Sequence, residues 1–279
     1  MFIIYIGRIK QLRDDRQMKE KKKIFILILA LIILFTCVYT IFVSKKNIAS
    51  AKRVAEENEN NVLSEEELLE QKRKEEELLK KQQKRDEALS NEFLIIVNKE
   101  NTIDSSYEPN DLVIPSIRLK TALPMTKKVR AEVGKALEEM FKAAKKDNII
   151  LIGISGYRSY KYQNDVFKKN VKEEGIESTE KYVAVPGTSE HQTGLAIDVL
   201  SNEYLRLDEG FKNTKAYKWL CDNMADYGFI IRYPKGKEDI TGYEYEPWHI
   251  RYVGVEYAKE IQDSGLTLEE YLDNIIQLK

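Results

Sequence analysis

Hydrophobic and polar positions divide the chain into three regimes. Residues 24–43, IFILILALIILFTCVYTIFV, form an apolar run without a charge. At about 1.5 Å of rise per residue it predicts a helix of roughly 30 Å, the thickness of a bilayer core. Residues 51–92 reverse the pattern: Glu, Lys, Gln, Arg and Leu dominate, with no Gly or Pro. These are strong helix formers, and Ser64 with Glu67 has the spacing of a capping box. The leucine pairs Leu68-Leu69 and Leu78-Leu79 lie ten residues apart and sustain no heptad. A solvated helical spacer is therefore expected, at most roughly 60 Å long if fully helical, with no oligomerisation through it.

From Phe93 the pattern becomes that of a folded domain. Residues 93–124 carry short apolar runs broken by Pro109, Pro115 and Pro124, and read as an arm laid over that domain. Val129, Val133, Leu137, Met140 and Phe141 fall at helical spacing within residues 127–146. NIILIGIS reads as a buried strand and residues 160–173 as a helix. LAIDVL, FIIRY and WHIRYV alternate as strands, residues 214–227 are helical, and two short helices follow Gly254. The mixture predicts one α+β domain over residues 93–279, with a small antiparallel sheet flanked by helices.

Charge adds a direction to this layout. Arg8, Lys10, Arg13, Arg16, Lys19 and Lys21 to Lys23 precede the apolar run, and Lys45, Lys46, Lys52 and Arg53 follow it. The excess favours a cytoplasmic segment 1–23, an uncleaved anchor 24–43, and an extracytoplasmic spacer 44–92 and domain. A cleaved signal peptide is the rival, with Ala49-Ser50-Ala51 as a small-residue site, but its apolar core is usually only about 7–15 residues. A formal net charge of −1 argues against a nucleic-acid partner. Cys37 and Cys221 are too few for a disulfide framework.

The two histidines carry the candidate chemistry. His191 lies in SEHQTGLAID (189–198) and His249 in EPWHIRYVG (246–254). Alternation sends Leu195, Ile197 and Val199 to the core and Asp198 to the opposite face. His191, beyond the flexible Gly194, can fold over that face, and His249 opens a strand. His, Asp and His make the three-ligand N/O set of a catalytic zinc with one open position. Glu246, three residues before His249, is a natural base for an activated water. Arg158, after a strand end, could hold a carboxylate or stabilise an oxyanion. Spacing alone leaves the bland readings open: hydrogen-bonded structural histidines, and an aspartate capping a turn.

Three segments add a resemblance. SGYRSYKYQNDVF, PGTSEHQTGLAIDV and EPWHIRYVG closely resemble the VanY-type D-alanyl-D-alanine carboxypeptidases, within a group of zinc peptidases that includes VanX dipeptidases and L,D-carboxypeptidases. The group's Ser-x-His-x-x-Gly-x-Ala-x-Asp is matched by Ser189, His191, Gly194, Ala196 and Asp198, and its Glu-x-x-His by Glu246 and His249. The likeness spans about residues 93–255. It implies one zinc on His191, Asp198 and His249, with Glu246 as catalytic base and Arg158 stabilising the transition state. It also implies that Ser189 and Gln163 help hold the peptide terminus. The expected reaction is release of terminal D-alanine from peptidoglycan stem peptides at the cell membrane. L,D-carboxypeptidase action on tetrapeptide stems, endopeptidase action, and a non-catalytic zinc module that binds the wall are the alternatives.

Overall fold

The computed structural model describes residues 65–121 and 123–277. They fall into two compact units, divided between Gln83 and Lys84. The division lies inside helix α1 (Glu65–Ser90). The first unit shows a solvated helix surface: Leu69, Leu78 and Leu79 are exposed, and Glu70 pairs with Arg73 and Glu77 with Lys81 one turn away. The predicted anchor 24–43 lies outside the described residues. Among the described residues no helix is long and apolar enough to cross a membrane.

The second unit has the expected α+β organisation. A two-stranded ribbon pairs β1 (Leu112–Val113) with β2 (Val129–Arg130). The helix expected over residues 127–146 therefore starts later, as α2 (Ala131–Lys146). Ahead of it, Met125–Lys127 form a 3-10 turn and the next residues are committed to the ribbon. Strand β3 (Leu151–Ser155) is followed by α3 (Tyr160–Glu174), capped by the Ser159 hydroxyl, and by a short α4 (Ile176–Tyr182) that periodicity did not announce. Gly175, at φ +83°, separates these two helices. Then come β4 (Ala196–Ser201), α5 (Lys215–Asn223), β5 (Phe229–Ile231), α6 (Glu238–Thr241), β6 (His249–Tyr252), α7 (Val255–Ser264) and α8 (Leu268–Gln277).

The main sheet runs β3-β4-β6-β5, antiparallel throughout. Its register pairs Ile197 with Ile250 and Phe229 with Tyr252, placing these side chains together on one face. Against them packs the apolar stripe of α2, with Val133, Leu137, Met140 and Phe141 buried at helical spacing, and Trp219 and Leu220 of α5. Each fully buried Leu or Ile contributes about 1.5–3 kcal/mol. A second cluster gathers Ile230, Tyr257, Ala258, Ile261, Leu268, Leu272 and Ile275 with Ala88 and Leu94. Between core and helices the sheet keeps one stretch of its other face for polar groups.

Candidate active site

That polar stretch is set by strand register. Asp198 of β4 is paired directly with His249 of β6, so two candidate ligands face each other across one ladder position. Their sequence neighbours Ile197 and Ile250 hold the strands down on the core side. His191 arrives on a 3-10 turn, Glu190–Thr193, closed by Gly194 in the left-handed region at φ +69°. A Cβ there would also meet Arg130 and Leu112 at 3.0 Å, so only glycine fits without strain.

The three side chains converge. His191 Nε2 lies 3.4 Å from Asp198 Oδ1, and His249 Nδ1 lies 3.3 Å from the same oxygen. All three residues are buried, and one ligand atom from each can be chosen within 4.8 Å of the others. Each imidazole has its other nitrogen committed to an acceptor. His191 Nδ1 donates to the Gly156 carbonyl at 2.8 Å, and His249 Nε2 faces the Glu190 carboxylate at 3.5 Å. These partners orient both rings, so that the nitrogen of each ring facing Asp198 is the one left to bind a metal. Gly156 is itself obligatory, since a Cβ there would meet the Lys128 carbonyl oxygen at 2.3 Å.

Asp198 Oδ1 is buried without a hydrogen-bond partner, although Oδ2 accepts from Arg158 Nη2 at 2.8 Å. A buried carboxylate oxygen without a partner between two imidazole nitrogens is costly unless a cation completes it, either a protonated His249 or a metal ion. Two nitrogens and one oxygen, with no thiolate, are the donor set of a hydrolytic metal site with an open position. The residues present therefore fit a metal ion.

Electrostatics distinguishes the groups. Glu246 is carried by the turn before β6, where Glu246 N donates to the Tyr233 carbonyl at 3.1 Å. Its Oε2 lies 3.6 Å from His249 Nδ1. Burial pushes the Glu246 carboxyl up to about 7, against the lowering influence of His249 and Arg158. Burial also lowers His191, to about 4, reinforced by Arg158. For His249 burial is outweighed by hydrogen bonds to Asp198 and Glu190, which raise it to about 9 in the metal-free centre. Burial would raise Asp198, but the flanking histidines and Arg158 hold it well below the usual carboxylate range.

The centre opens into a cavity of about 790 Å³ lined also by Arg158, Gln163, Ser189, Tyr233, Tyr243 and Trp248. The Arg158 guanidinium is steadied by Nε donation to the Ser155 hydroxyl at 2.9 Å, beside a register irregularity at the end of β3. Gln163 Nε2 is spent on the Ala184 carbonyl at 2.8 Å, while its buried Oε1 has no partner. Ser189 is buried at the base of the turn. All seven residues singled out in the sequence thus line one cavity.

Sequence reasoning missed Glu190, Arg232 and Arg251. The Glu190 carboxylate takes Arg232 Nε at 2.7 Å and Arg251 Nη1, and all three side chains are wholly buried. Burial would raise Glu190, but the two arginines hold its carboxyl well below the ordinary range. A sequence signal existed. Arg251 follows His249 by two positions on a buried strand, so alternation puts it on the ligand face.

Comparison with known proteins agrees with this geometry. Residues 126–255 match the family described as VanY, D-alanyl-D-alanine carboxypeptidase. The "Putative carboxypeptidase YodJ" of Bacillus subtilis (strain 168) is 50% identical over 184 residues, 65% of this chain and 67% of that protein. The solved structure of the LdcB LD-carboxypeptidase is also 50% identical, with a TM-score of 0.62, covering 65% of this chain and 86% of that one. A vancomycin-resistance D,D-pentapeptidase VanY, solved as a mutant with Zn(II), is 36% identical with a TM-score of 0.53, covering 65% and 99%. With the family's motifs folded into one buried His-Asp-His centre, the chain belongs to the VanY family of D-alanyl-D-alanine carboxypeptidases, a zinc metallopeptidase group.

Proposed function

We propose that this protein is a zinc-dependent D,D-carboxypeptidase that releases the terminal D-alanine of peptidoglycan stem peptides. The observation that carries the reading is the orphaned Asp198 Oδ1 between His191 and His249, with Glu246 beside it and a cavity in front. Zinc held by these three side chains supplies a Lewis acid that polarises a carbonyl and acidifies water.

The chain's own residues do the rest. Glu246 takes a proton from the attacking water and delivers it to the departing amine of D-alanine. Burial raises its carboxyl in the metal-free centre, which favours uptake of the proton. Arg158, steadied by Ser155 and Asp198, stabilises negative charge developing on the scissile carbonyl oxygen. Gln163 spends one of its two amide N–H donors on the Ala184 carbonyl, which leaves the second N–H and the unpartnered Oε1 for the peptide terminus. The Ser189 hydroxyl is a donor suited to the terminal carboxylate.

A cut that requires a free C-terminus should discriminate against its amide. Losing a hydrogen bond to a charged group costs ~1.5–3 kcal/mol, so kcat/KM on an amidated pentapeptide should fall about tenfold to more than a hundredfold. Arg158→Lys should lose a similar factor, because lysine cannot keep the Ser155 and Asp198 bonds while still facing the cavity. Mass spectrometry of digested pentapeptide and its amide measures the first effect, and steady-state kinetics the second. Equal cleavage of acid and amide, or a cut between L-Ala and D-Glu, would make the enzyme an endopeptidase.

A second reading has its own support. The LdcB structure shares 50% identity with this chain against 36% for the VanY structure, which favours L,D-cleavage of tetrapeptide stems. Tetrapeptide and pentapeptide assayed side by side separate the two, the preferred substrate being the one with the larger kcat/KM.

The reaction is placed outside the cell membrane, with residues 24–43 as an uncleaved anchor. The basis is the uncharged run and the basic residues before it. Protease added to spheroplasts should remove the catalytic unit and spare the N-terminal peptide. Recovery of a soluble form beginning at Lys52 would instead mean cleavage after Ala51.

A further inference from the structure

The family match ends at residue 255, yet the support of His249 does not. Glu190 Oε2 lies 3.5 Å from His249 Nε2. An ionised carboxylate can only accept, so Nε2 keeps its proton and Nδ1, beside Asp198, is the nitrogen left to bind a metal. Glu190 is in turn fixed by Arg232 and Arg251, and each arginine is gripped on its far side from beyond the matched segment. Arg232 makes a two-point contact with Glu269 in the first turn of α8, with Nη1 2.8 Å from Oε2 and Nη2 on Oε1. Arg251 Nη2 donates to the carbonyls of Phe93 and Ile95 in the N-terminal arm, each at 2.8 Å. Asn98 of the same arm donates to Glu269 Oε1 at 3.2 Å, closing the loop between arm and helix.

Two guanidinium groups and two carboxylates thus balance within the network. Because Glu190, Arg232 and Arg251 are wholly buried, none can relax into water when a partner is lost. Displacing either end must move charge next to His249. We propose that Glu190 and Glu269 are positioning residues: the arm and α8 clamp the arginines that hold Glu190, and Glu190 sets the ring orientation and tautomer of His249. Phe93 and Ile95 contribute through backbone carbonyls, so that part of the clamp is set by the path of the arm rather than by its side chains. The proposal rests on the zinc reading of the centre.

The test uses the full-length chain, stripped of metal and titrated with zinc against a chromophoric chelator, and separately loaded with Co(II) for its d–d spectrum. Wild type should bind one zinc. Glu190→Gln should bind it about 10- to 100-fold more weakly, the usual cost of losing a partner behind a ligand. Glu269→Gln and Arg251→Lys, one step further out, should weaken binding by a smaller factor, with shifted Co(II) bands. For Glu269→Gln, KM should stay near wild type while kcat falls. Variants that lose thermal stability but keep wild-type zinc affinity and Co(II) spectra would overturn the proposal and leave the metal reading intact. Should Glu190→Gln not fold, Glu269→Gln decides the matter alone. A wild-type chain that binds no zinc would remove both.

Discussion

Replacing Glu246 by glutamine should leave zinc content and fold intact and lower kcat on stem peptides by about 10²–10⁴-fold, the usual yield of a positioned general base. The amide matches the carboxylate in shape but cannot take a proton from water. The same change should stabilise the metal-free fold. A carboxyl raised from 4.5 to about 7 binds a proton more tightly when folded than unfolded. Its contribution is therefore present at low pH and is lost as pH rises between those values. Above pH 7 wild type keeps a buried charge that Glu246→Gln lacks, so the metal-free variant should melt at a higher temperature there. Unchanged kcat in the variant would put the base elsewhere.

His191→Ala and His249→Ala should each abolish stoichiometric zinc, and turnover with it, as elemental analysis and kinetics would show. Two remaining donors do not make a catalytic zinc site. Stoichiometric zinc retained in the double variant would defeat the ligand assignment. In wild type the affinity should depend on pH in a defined sense. Metal-free His249 is protonated up to about 9, so zinc must expel that proton. Apparent affinity should therefore climb as pH rises through the neutral range. His191, lowered to about 4, adds no slope there. Competition titrations at several pH values read the slope directly.

Much of this centre was legible because its signals are local. Strand alternation separates Asp198 from Ile197, and His249 opens a strand whose other residues are apolar or aromatic, apart from Arg251. The Glu190 network was not legible for the opposite reason. Its partners lie 42 and 61 residues away, and an isolated glutamate or arginine ordinarily reads as a solvated surface group. Helix α4 escaped because IESTEKY has no apolar stripe long enough to show a period. Gln163 lines the cavity, and its bond to the Ala184 carbonyl, 21 residues away, could not be read from local pattern.

The three ligands do not share one mechanical support. Asp198 and His249 stand on the two inner strands of the sheet, β4 and β6, each hydrogen-bonded along both edges. Central strands of this kind exchange their amides only with near-global unfolding. The turn that carries His191 is held differently: its four residues are buried, and Glu190 within it is tied to Arg232 and Arg251. Metal should therefore exchange at a rate that follows the stability of the domain, unless that ion network is cut. A substitution such as Glu190→Gln would speed exchange with a chelator beyond what its lowered melting temperature accounts for.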